Sequence, residues 1–195
     1  VITKRAIFPP QAKALSTTVL LGWLTLMLAG CSLSPVKPLD SEVANLQSRL
    51  FLAHGGSAGD AQHLAAELMG GMTSHERKPI PSIALPTDSS FITAWSNDTD
   101  FESIFSRQVQ GLGIEGDVLV GISTSGNSKN VIAAIKQAKY KGLKTVVFTG
   151  KSGGMMTNMA DVTIHVPSDD TQRIQEGHIM TGQIICGLVE DDFLS

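Results

Sequence analysis

The sequence is poor in the residue types that several functional classes require. It has only two cysteines among 195 residues, Cys31 and Cys186, which excludes a disulfide framework and a cysteine-rich zinc module. Aromatic residues make up 5% of the chain, too few for base-stacking platforms. The net charge is -3 and no basic block follows Lys13, so we expect no direct contact with nucleic acid. The 42% of hydrophobic residues is enough for one domain with a sizeable core.

Residues 1–40 differ from the remainder and are interpreted apart from a domain at 41–195. Basic residues precede an uncharged run over 14–36, whose most apolar part is Val19 to Leu28. A basic start followed by a short apolar run is typical of a secretory signal, and the LAGC sequence ending at Cys31 is similar to a lipobox, in which the cysteine carries lipid. The run is short for a membrane span. The alternatives are an apolar helix that packs in an oligomer and foreign sequence from a mis-set start. Residues 34–40, with two prolines, are predicted to form a linker.

The most informative stretch is Val118 to Ser128, VLVGISTSGNS. An apolar run over 118–122 predicts a strand buried on both faces, and 130–141 has the apolar spacing of a helix. The turn between them contains four hydroxyl residues in six, Ser123, Thr124, Ser125 and Ser128. Exposed N–H groups at a helix start attract anions and each hydroxyl can donate a hydrogen bond, so this turn is a candidate phosphate site. The alternative is an ordinary loop in which one Ser or Asn caps the helix.

A second glycine- and serine-rich turn follows an earlier predicted strand at 50–53. The turn runs from His54 through Gly59, and a helix is expected over 60–69. On that helix His63 and Glu67 are four residues apart, so they share one face. Such a pair can ligate a metal or act as an acid–base pair. The alternative is a solvated surface pair.

The rest of the chain alternates strands with helices. We predict a helix at 42–50, a turn at 87–90, strands near 79–85, 144–149 and 161–166, and helices at 101–109 and 171–188. Asn97 and Asp98 are either a turn or a ligand contact, and spacing alone favours the turn. Alternation of this kind implies an α/β fold with a parallel sheet covered on both faces. Ligands of such sheets bind beyond the carboxyl ends of the strands, where both hydroxyl turns are expected.

Motifs spread over about residues 50–189 resemble the phosphoheptose isomerases of the sugar-isomerase (SIS) family. They are, in order, HGGSAGDAQHLAAEL, SND, GDVLVGISTSGNS and RIQEGHI. The resemblance implies a three-layer α-β-α, flavodoxin-like fold and a homotetramer with sites between subunits. It also implies conversion of sedoheptulose 7-phosphate to glycero-manno-heptose 7-phosphate, in the synthesis of lipopolysaccharide heptose.

The resemblance also assigns roles to individual residues. The phosphate would be held by Ser123, Thr124, Ser125 and Ser128. The sugar would be lined by His54, Gly55, Gly56, Ser57, Asn97 and Asp98. Glu67 would be the base that moves a proton between C1 and C2 through an enediol, with His63 beside it. Zinc would be bound by His63, Glu67, Gln175 and the residue at position 183, and Gln175 would also touch substrate.

Three features depart from the family pattern. Gln183 stands where these isomerases carry a histidine that binds zinc and acts as general acid, and an amide cannot do the latter. His178 on the same helix is a candidate substitute. His54 stands where the family has asparagine, which affects one sugar contact. The family's N-terminal helix, which helps to build the tetramer, is not recognisable in residues 1–48.

Two functions from different classes follow. The first is a phosphoheptose isomerase, weakened by Gln183. The second is a non-catalytic phosphosugar-binding protein, similar to the branch of the family that binds the replication initiator protein DnaA. Retention of Glu67 favours the enzyme and Gln183 favours the binding protein. The expected substrate is a cytoplasmic metabolite, so we expect a cytoplasmic protein, with lipid anchoring through Cys31 as the alternative.

Overall fold

A parallel β-sheet forms the centre of the computed structural model, which describes residues 49–194. Within this part of the chain the sheet has five strands in the order β2-β1-β3-β4-β5, with every neighbouring pair parallel. The strands are β1 (Arg49–Leu52), β2 (Ser82–Ala84), β3 (Val118–Ser123), β4 (Lys144–Thr149) and β5 (Val162–His165). This is the flavodoxin-like strand order. The predicted parallel α/β fold is therefore confirmed.

Helices connect the strands and cover the sheet on both faces. They are α1 (Ser57–Gly70), α2 (Ser89–Asp98), α3 (Ile104–Leu112), α4 (Lys129–Tyr140) and α5 (Thr171–Leu194), with 3-10 turns at Leu85–Thr87 and Met155–Asn158. Because successive strand residues point to opposite faces, β1 places Leu50 and Leu52 in one core and Phe51 in the other. The first core is closed by α3 and α4, and the second by α1 and α5. The expected three-layer α-β-α arrangement is confirmed.

Close packing of α1 on α5 depends on one glycine. A Cβ at Gly182 of α5 would lie 2.5 Å from Leu64 Cδ1 of α1, closer than real carbon atoms approach. A side chain at this position would have to displace the Leu64 side chain or move the two helices apart. The helix that carries His63 and Glu67 is therefore held against the helix that carries Gln183.

Several element boundaries differ from the sequence prediction. The helix expected at 42–50 lies outside the described residues except for Arg49 and Leu50, which belong to β1. The polar turn expected at 87–90 is instead the end of a 3-10 turn and the start of α2, because the Asp88 carboxylate accepts a hydrogen bond from Phe91 N (2.9 Å) and caps that helix. α5 continues to Leu194 rather than ending at 188.

The signal-like run, the lipobox cysteine and the linker of residues 1–40 lie outside the described residues, so those interpretations stay predictions. Across residues 49–194, none of the helices combines the length and the apolar character needed to cross a bilayer.

Candidate active site

The two glycine- and serine-rich turns meet at the carboxyl edge of the sheet. β1 and β3 are hydrogen-bonded neighbours, with Leu52 opposite Gly121, so the segments that follow them lie side by side. Between them is a cavity of about 230 Å³. Its lining consists of His54, Gly55, Gly56, Ser57, Ile122, Ser123, Thr124, Ser125, Ser128 and Gln175. The sequence argument had placed both turns at this edge, and the structure brings them into one cavity.

The hydroxyl loop after β3 presents its serines as a connected cluster. Ser123 Oγ lies 2.8 Å from Ser128 Oγ and 3.4 Å from Ser125 Oγ. Ser128 immediately precedes α4, yet its side chain makes no capping hydrogen bond to that helix. The alternative that one of these hydroxyls merely caps the helix is therefore wrong for Ser128, whose hydroxyl faces the other serines.

The segment after β4 fixes the shape of the hydroxyl loop. Gly126 has a φ of +64°, and a Cβ there would collide with the carbonyl oxygen of Gly153. The Asn127 carboxamide oxygen accepts from Met155 N (2.9 Å), and Thr124 O accepts from Gly150 N (3.0 Å). Asn127 therefore ties the hydroxyl loop to the segment that follows β4, a role that the sequence analysis did not assign.

His63, Glu67 and Gln183 converge on one point. His63 Nε2 lies 3.2 Å from Glu67 Oε1 across one turn of α1, and Gln183 Nε2 of α5 lies 2.9 Å from the same ring nitrogen. When His63 Nε2 carries no proton, the Gln183 amide donates to it. When Nε2 carries the ring proton, it can donate to Glu67 instead, and the Gln183 amide is then flipped so that its oxygen faces the ring. The pair is thus part of a three-residue cluster rather than an isolated surface pair.

Gln175 belongs to the cavity from the side of α5. A Cβ built on Gly56 would come within 2.8 Å of Gln175 Nε2, so the amide lies directly over the glycine turn. A side chain at position 56 would displace this amide from its place. Gln175 and Gln183 are eight residues apart on the helix, about 12 Å along its axis, so α5 spans the distance between the cavity and the His63 cluster.

His178 cannot take the place of the missing family histidine. Its side chain is fully buried and packs edge-on against Phe148 of β4, with 5.8 Å between ring centroids. It lies on the stripe of α5 that faces the sheet, together with Ile174, Gly182 and Cys186, whereas Gln183 faces His63. Burial lowers the pKa of His178. The suggestion that His178 could substitute as general acid is therefore wrong.

Asn97 and Asp98 end α2 rather than forming a turn, and both are exposed. The Asn97 amide donates to Asp98 Oδ1 (2.8 Å). Neither residue is among those that line the cavity. Their assignment as sugar contacts stays a prediction.

The candidate zinc ligands of the site differ in strength. Within residues 49–194 no three His, Cys, Asp or Glu side chains group as a metal site. His63 and Glu67 supply one imidazole and one carboxylate, whose donor atoms are close enough to share an ion with tetrahedral geometry. The Gln183 amide adjoins this pair, whereas the Gln175 amide lies over the glycine turn, and amides are weaker zinc ligands than imidazole or carboxylate.

A buried ion pair, which the sequence analysis did not identify, anchors the end of α1. Arg77 Nη2 donates to the carbonyl oxygens of Glu67 (3.0 Å) and Leu68 (2.8 Å), and Arg77 Nε lies 3.2 Å from Glu190 Oε2 of α5. Both side chains are 1% exposed. Glu190 continues the four-residue spacing of the buried stripe on α5. A charged residue in a buried stripe needs a partner, and this pattern in the sequence could have indicated the ion pair.

The Glu190 carboxylate also accepts hydrogen bonds from the segment that follows α1. The donors are Met72 N (2.7 Å), Thr73 N (2.9 Å), Thr73 Oγ1 (2.6 Å) and Ser74 N (2.9 Å). Burial acts to raise the pKa of Glu190, but the Thr73 hydroxyl and the three backbone donors outweigh it and hold that pKa well below its usual range. The carboxylate therefore stays ionised and fixes the position of this segment.

The fold and the hydroxyl loop are those of a SIS domain, and a family model with that description matches residues 48–150. Among curated relatives, the phosphoheptose isomerase of Sulfurimonas denitrificans is 53% identical over 143 residues, 73% of each chain. That of Aquifex aeolicus is 54% identical over 142 residues, 73% of this chain and 74% of the relative. The structure of phosphoheptose isomerase from Neisseria gonorrhoeae is 43% identical with a TM-score of 0.71, covering 77% of this chain and 79% of that one. The chain belongs to the phosphoheptose isomerase family.

Proposed function

We propose that this protein is an aldose–ketose isomerase that interconverts sedoheptulose 7-phosphate and D-glycero-D-manno-heptose 7-phosphate, in the synthesis of heptose precursors of lipopolysaccharide. Two observations carry the proposal: the serine cluster at the adjacent ends of β1 and β3, and the His63–Glu67 pair on the helix that follows β1. Membership of the phosphoheptose isomerase family supplies the reaction.

The hydroxyl loop holds the substrate phosphate. Ser123 Oγ already lies 2.8 Å from Ser128 Oγ and 3.4 Å from Ser125 Oγ, and each hydroxyl can turn its proton toward a phosphate oxygen. The start of α4 adds a positive helix end. The sugar then extends over the glycine turn, toward Ser57 and Gln175, with Asn97 and Asp98 proposed at its far end.

Glu67 is the proposed base. In the ketose-to-aldose direction its carboxylate takes a proton from C1, and the electron pair of that bond forms the double bond of an enediol while the C2 oxygen gains a proton. Glu67 then returns the proton to C2, and the hydroxyl on C1 loses its own proton to give the aldehyde. The same carboxylate acts on both carbons, so it must remain mobile within reach of each.

His63 is the proposed proton donor to the substrate oxygens while its Nε2 is not bound to zinc, because a zinc-bound nitrogen has no proton to give. Gln183 cannot give up and retake a proton near neutral pH, and His63 Nε2 lies beside both Glu67 and Gln183. The ring can therefore exchange a proton in the place where the family histidine would have done so. We expect the enzyme to be slower for lack of a dedicated general acid.

Zinc is proposed as a cofactor, held by His63 and Glu67 with the amides of Gln183 and Gln175 as weak ligands. When bound, zinc would polarise the substrate carbonyl. Zinc content of the purified protein, compared with His63→Ala, tests this part of the proposal without recourse to activity.

We further propose a cytoplasmic homotetramer. An apolar stripe on α5, formed by Met180, Ile184 and Leu188, is exposed in the single chain, and an exposed stripe of this kind supports association. A phosphorylated heptulose is an intracellular metabolite, which supports the location.

The deciding experiment is turnover of sedoheptulose 7-phosphate by the full chain with added zinc, beside Glu67→Gln. We expect measurable turnover in the native protein and a loss on the order of 100-fold or more in the variant. If the native protein raises its melting temperature with the sugar phosphate but does not turn it over, the isomerase proposal fails. The non-catalytic phosphosugar-binding role, which Gln183 favours, would then be supported.

A further inference from the structure

His54, the first residue of the glycine turn, reaches the hydroxyl loop with its side chain. Its ring nitrogen Nε2 is 2.9 Å from Ser128 Oγ, and Ser128 Oγ is 2.8 Å from Ser123 Oγ. The ring also lies edge-on to Phe101, with 6.3 Å between centroids, which limits how it can turn. An imidazole nitrogen therefore continues the row of serine hydroxyls.

The position of the ring proton on His54 decides where the Ser128 hydroxyl can direct its own proton. A serine hydroxyl has one proton to donate. With the ring proton on Nε2, His54 donates to Ser128, and the Ser128 proton is free for Ser123 or for a bound anion. With the ring proton on Nδ1, Ser128 directs its only proton at the ring. Because a phosphate oxygen is a strong acceptor, a bound phosphate favours the first arrangement.

His54 is also the one residue of the cavity lining that can carry positive charge. No lysine or arginine lines this cavity. Lys129, which follows Ser128, is paired with Glu102 (2.7 Å), and Lys151, beside Thr124 and Ser125 in a neighbouring cavity, is paired with Asp169 (3.1 Å). A phosphate dianion in the hydroxyl loop would therefore meet only one side chain of the lining that can become cationic.

We propose that His54 is a phosphate-binding residue, which supplies a nitrogen donor to the serine cluster and makes the affinity of this cavity for a phosphate group depend on position 54. The assignment replaces the sugar contact that the sequence resemblance implied for this position. It deepens the proposed function and rests on it for the identity of the sugar, but not for the phosphate.

The test compares binding of three ligands to the full chain by calorimetry: inorganic phosphate, sedoheptulose 7-phosphate and unphosphorylated sedoheptulose. His54→Phe keeps a ring against Phe101 but has no nitrogen. We expect it to bind both phosphate ligands about 10-fold more weakly or worse, as for loss of a hydrogen bond to a charged group. Sedoheptulose should bind as it does to the native chain. His54→Gln, which restores a nitrogen donor, should recover most of the lost affinity.

Two controls isolate the effect. His75→Phe makes the same substitution at an exposed histidine that bonds only to Gly70 O (3.2 Å) outside the cavity, and should change nothing. Combined with Ser128→Ala, His54→Phe should weaken phosphate binding by less than the product of the two single effects, because the residues act together.

The proposal is overturned if His54→Phe binds inorganic phosphate like the native chain, or if the native chain does not bind inorganic phosphate. It is also overturned if the variant loses affinity for sedoheptulose and its phosphate equally, since that result marks a sugar contact. If the native chain binds inorganic phosphate but not sedoheptulose 7-phosphate, the proposed substrate is rejected. The comparison of inorganic phosphate binding by the native chain and by His54→Phe then still tests the role of His54.

Discussion

At the scale of single residues, Gln183 decides how well the site can work. Its amide lies 2.9 Å from the His63 ring, at the position where the resemblance to phosphoheptose isomerases implies an imidazole. It can hold His63 in position but cannot exchange a proton. A substitution at position 183 should therefore change the proton-transfer capacity of the site and leave its geometry in place.

Gln183→His should raise the rate of sedoheptulose 7-phosphate turnover. The added imidazole restores a general acid at a position already within reach of the His63 and Glu67 side chains, and such a group contributes on the order of 100- to 10,000-fold. Steady-state kinetics at saturating zinc measure the gain in kcat. The matched control is Gln172→His, which adds a histidine to an exposed position of the same helix and should give no gain. An unchanged kcat in Gln183→His would show that proton transfer does not limit the reaction.

At the scale of secondary-structure elements, the site depends on the relative position of α1 and α5. The two helices are brought together by Gly182 against Leu64 and are tied at one end by Arg77 and Glu190. Arg77 binds the last carbonyl groups of α1, including that of Glu67. The backbone of the proposed base is therefore held by an ion pair at the same end of its helix.

Arg77→Met should destabilise the protein strongly. The variant leaves the buried Glu190 carboxylate without its cation and the α1 carbonyls without a donor, a change that costs about 3 to 5 kcal/mol in comparable buried pairs. Urea unfolding at neutral pH measures the loss. Arg173→Met removes an exposed pair with Glu176 and should change stability by less than about 0.5 kcal/mol. Equal effects of the two variants would contradict the structural role of Arg77.

The stability of the protein should also fall in acid because of Glu190. Its pKa is lowered in the folded protein, so its contribution to stability is fully present above the unfolded value of about 4.3. That contribution is lost progressively as the pH falls below this value toward the folded pKa. Glu190→Gln should therefore show a flatter decline between about pH 4.5 and 3 than the native chain, measured as the free energy of unfolding at each pH. Parallel curves for the two proteins would mean that other carboxylates account for the decline.

At the scale of the whole molecule, α5 presents apolar residues in two directions. One stripe is buried against the sheet, and a second consists of Met180, Ile184 and Leu188, which are 61%, 40% and 44% exposed. A helix that is apolar on two sides generally packs on two sides. The second stripe supports the proposed assembly of several chains.

Ile184→Lys should shift the protein to smaller assemblies. A charge at the centre of an apolar interface leaves an uncompensated buried group when chains associate, and the monomer loses nothing because the position is already exposed. Light scattering after size-exclusion chromatography measures the molar mass. Tyr140→Lys alters an exposed aromatic residue at the end of α4 and serves as the control. If both variants elute at the native mass, the α5 stripe is not the interface.

Local patterns in the sequence were sufficient to predict the sheet and its two functional turns. The apolar run at 118–122 and the hydroxyl residues that follow it are a short-range signal, and they appear in the structure as β3 and the serine cluster. The same holds for His63 and Glu67, because a spacing of four on a helix fixes their shared face whatever the helix packs against. The sequence also showed that residue 183 is a glutamine, and the inability of an amide to exchange a proton follows from the residue type alone.

Tertiary structure alone decided what these residues touch. The sequence could not show that His178 faces the sheet while Gln183 faces His63, because that depends on how α5 is rotated against α1 and β4. Nor could it place His54 on Ser128, which is 74 residues away, or join Arg77 to Glu190 across two helices. Contacts between distant segments are determined by the packing of whole elements, since only the folded sheet brings the ends of β1 and β3 side by side.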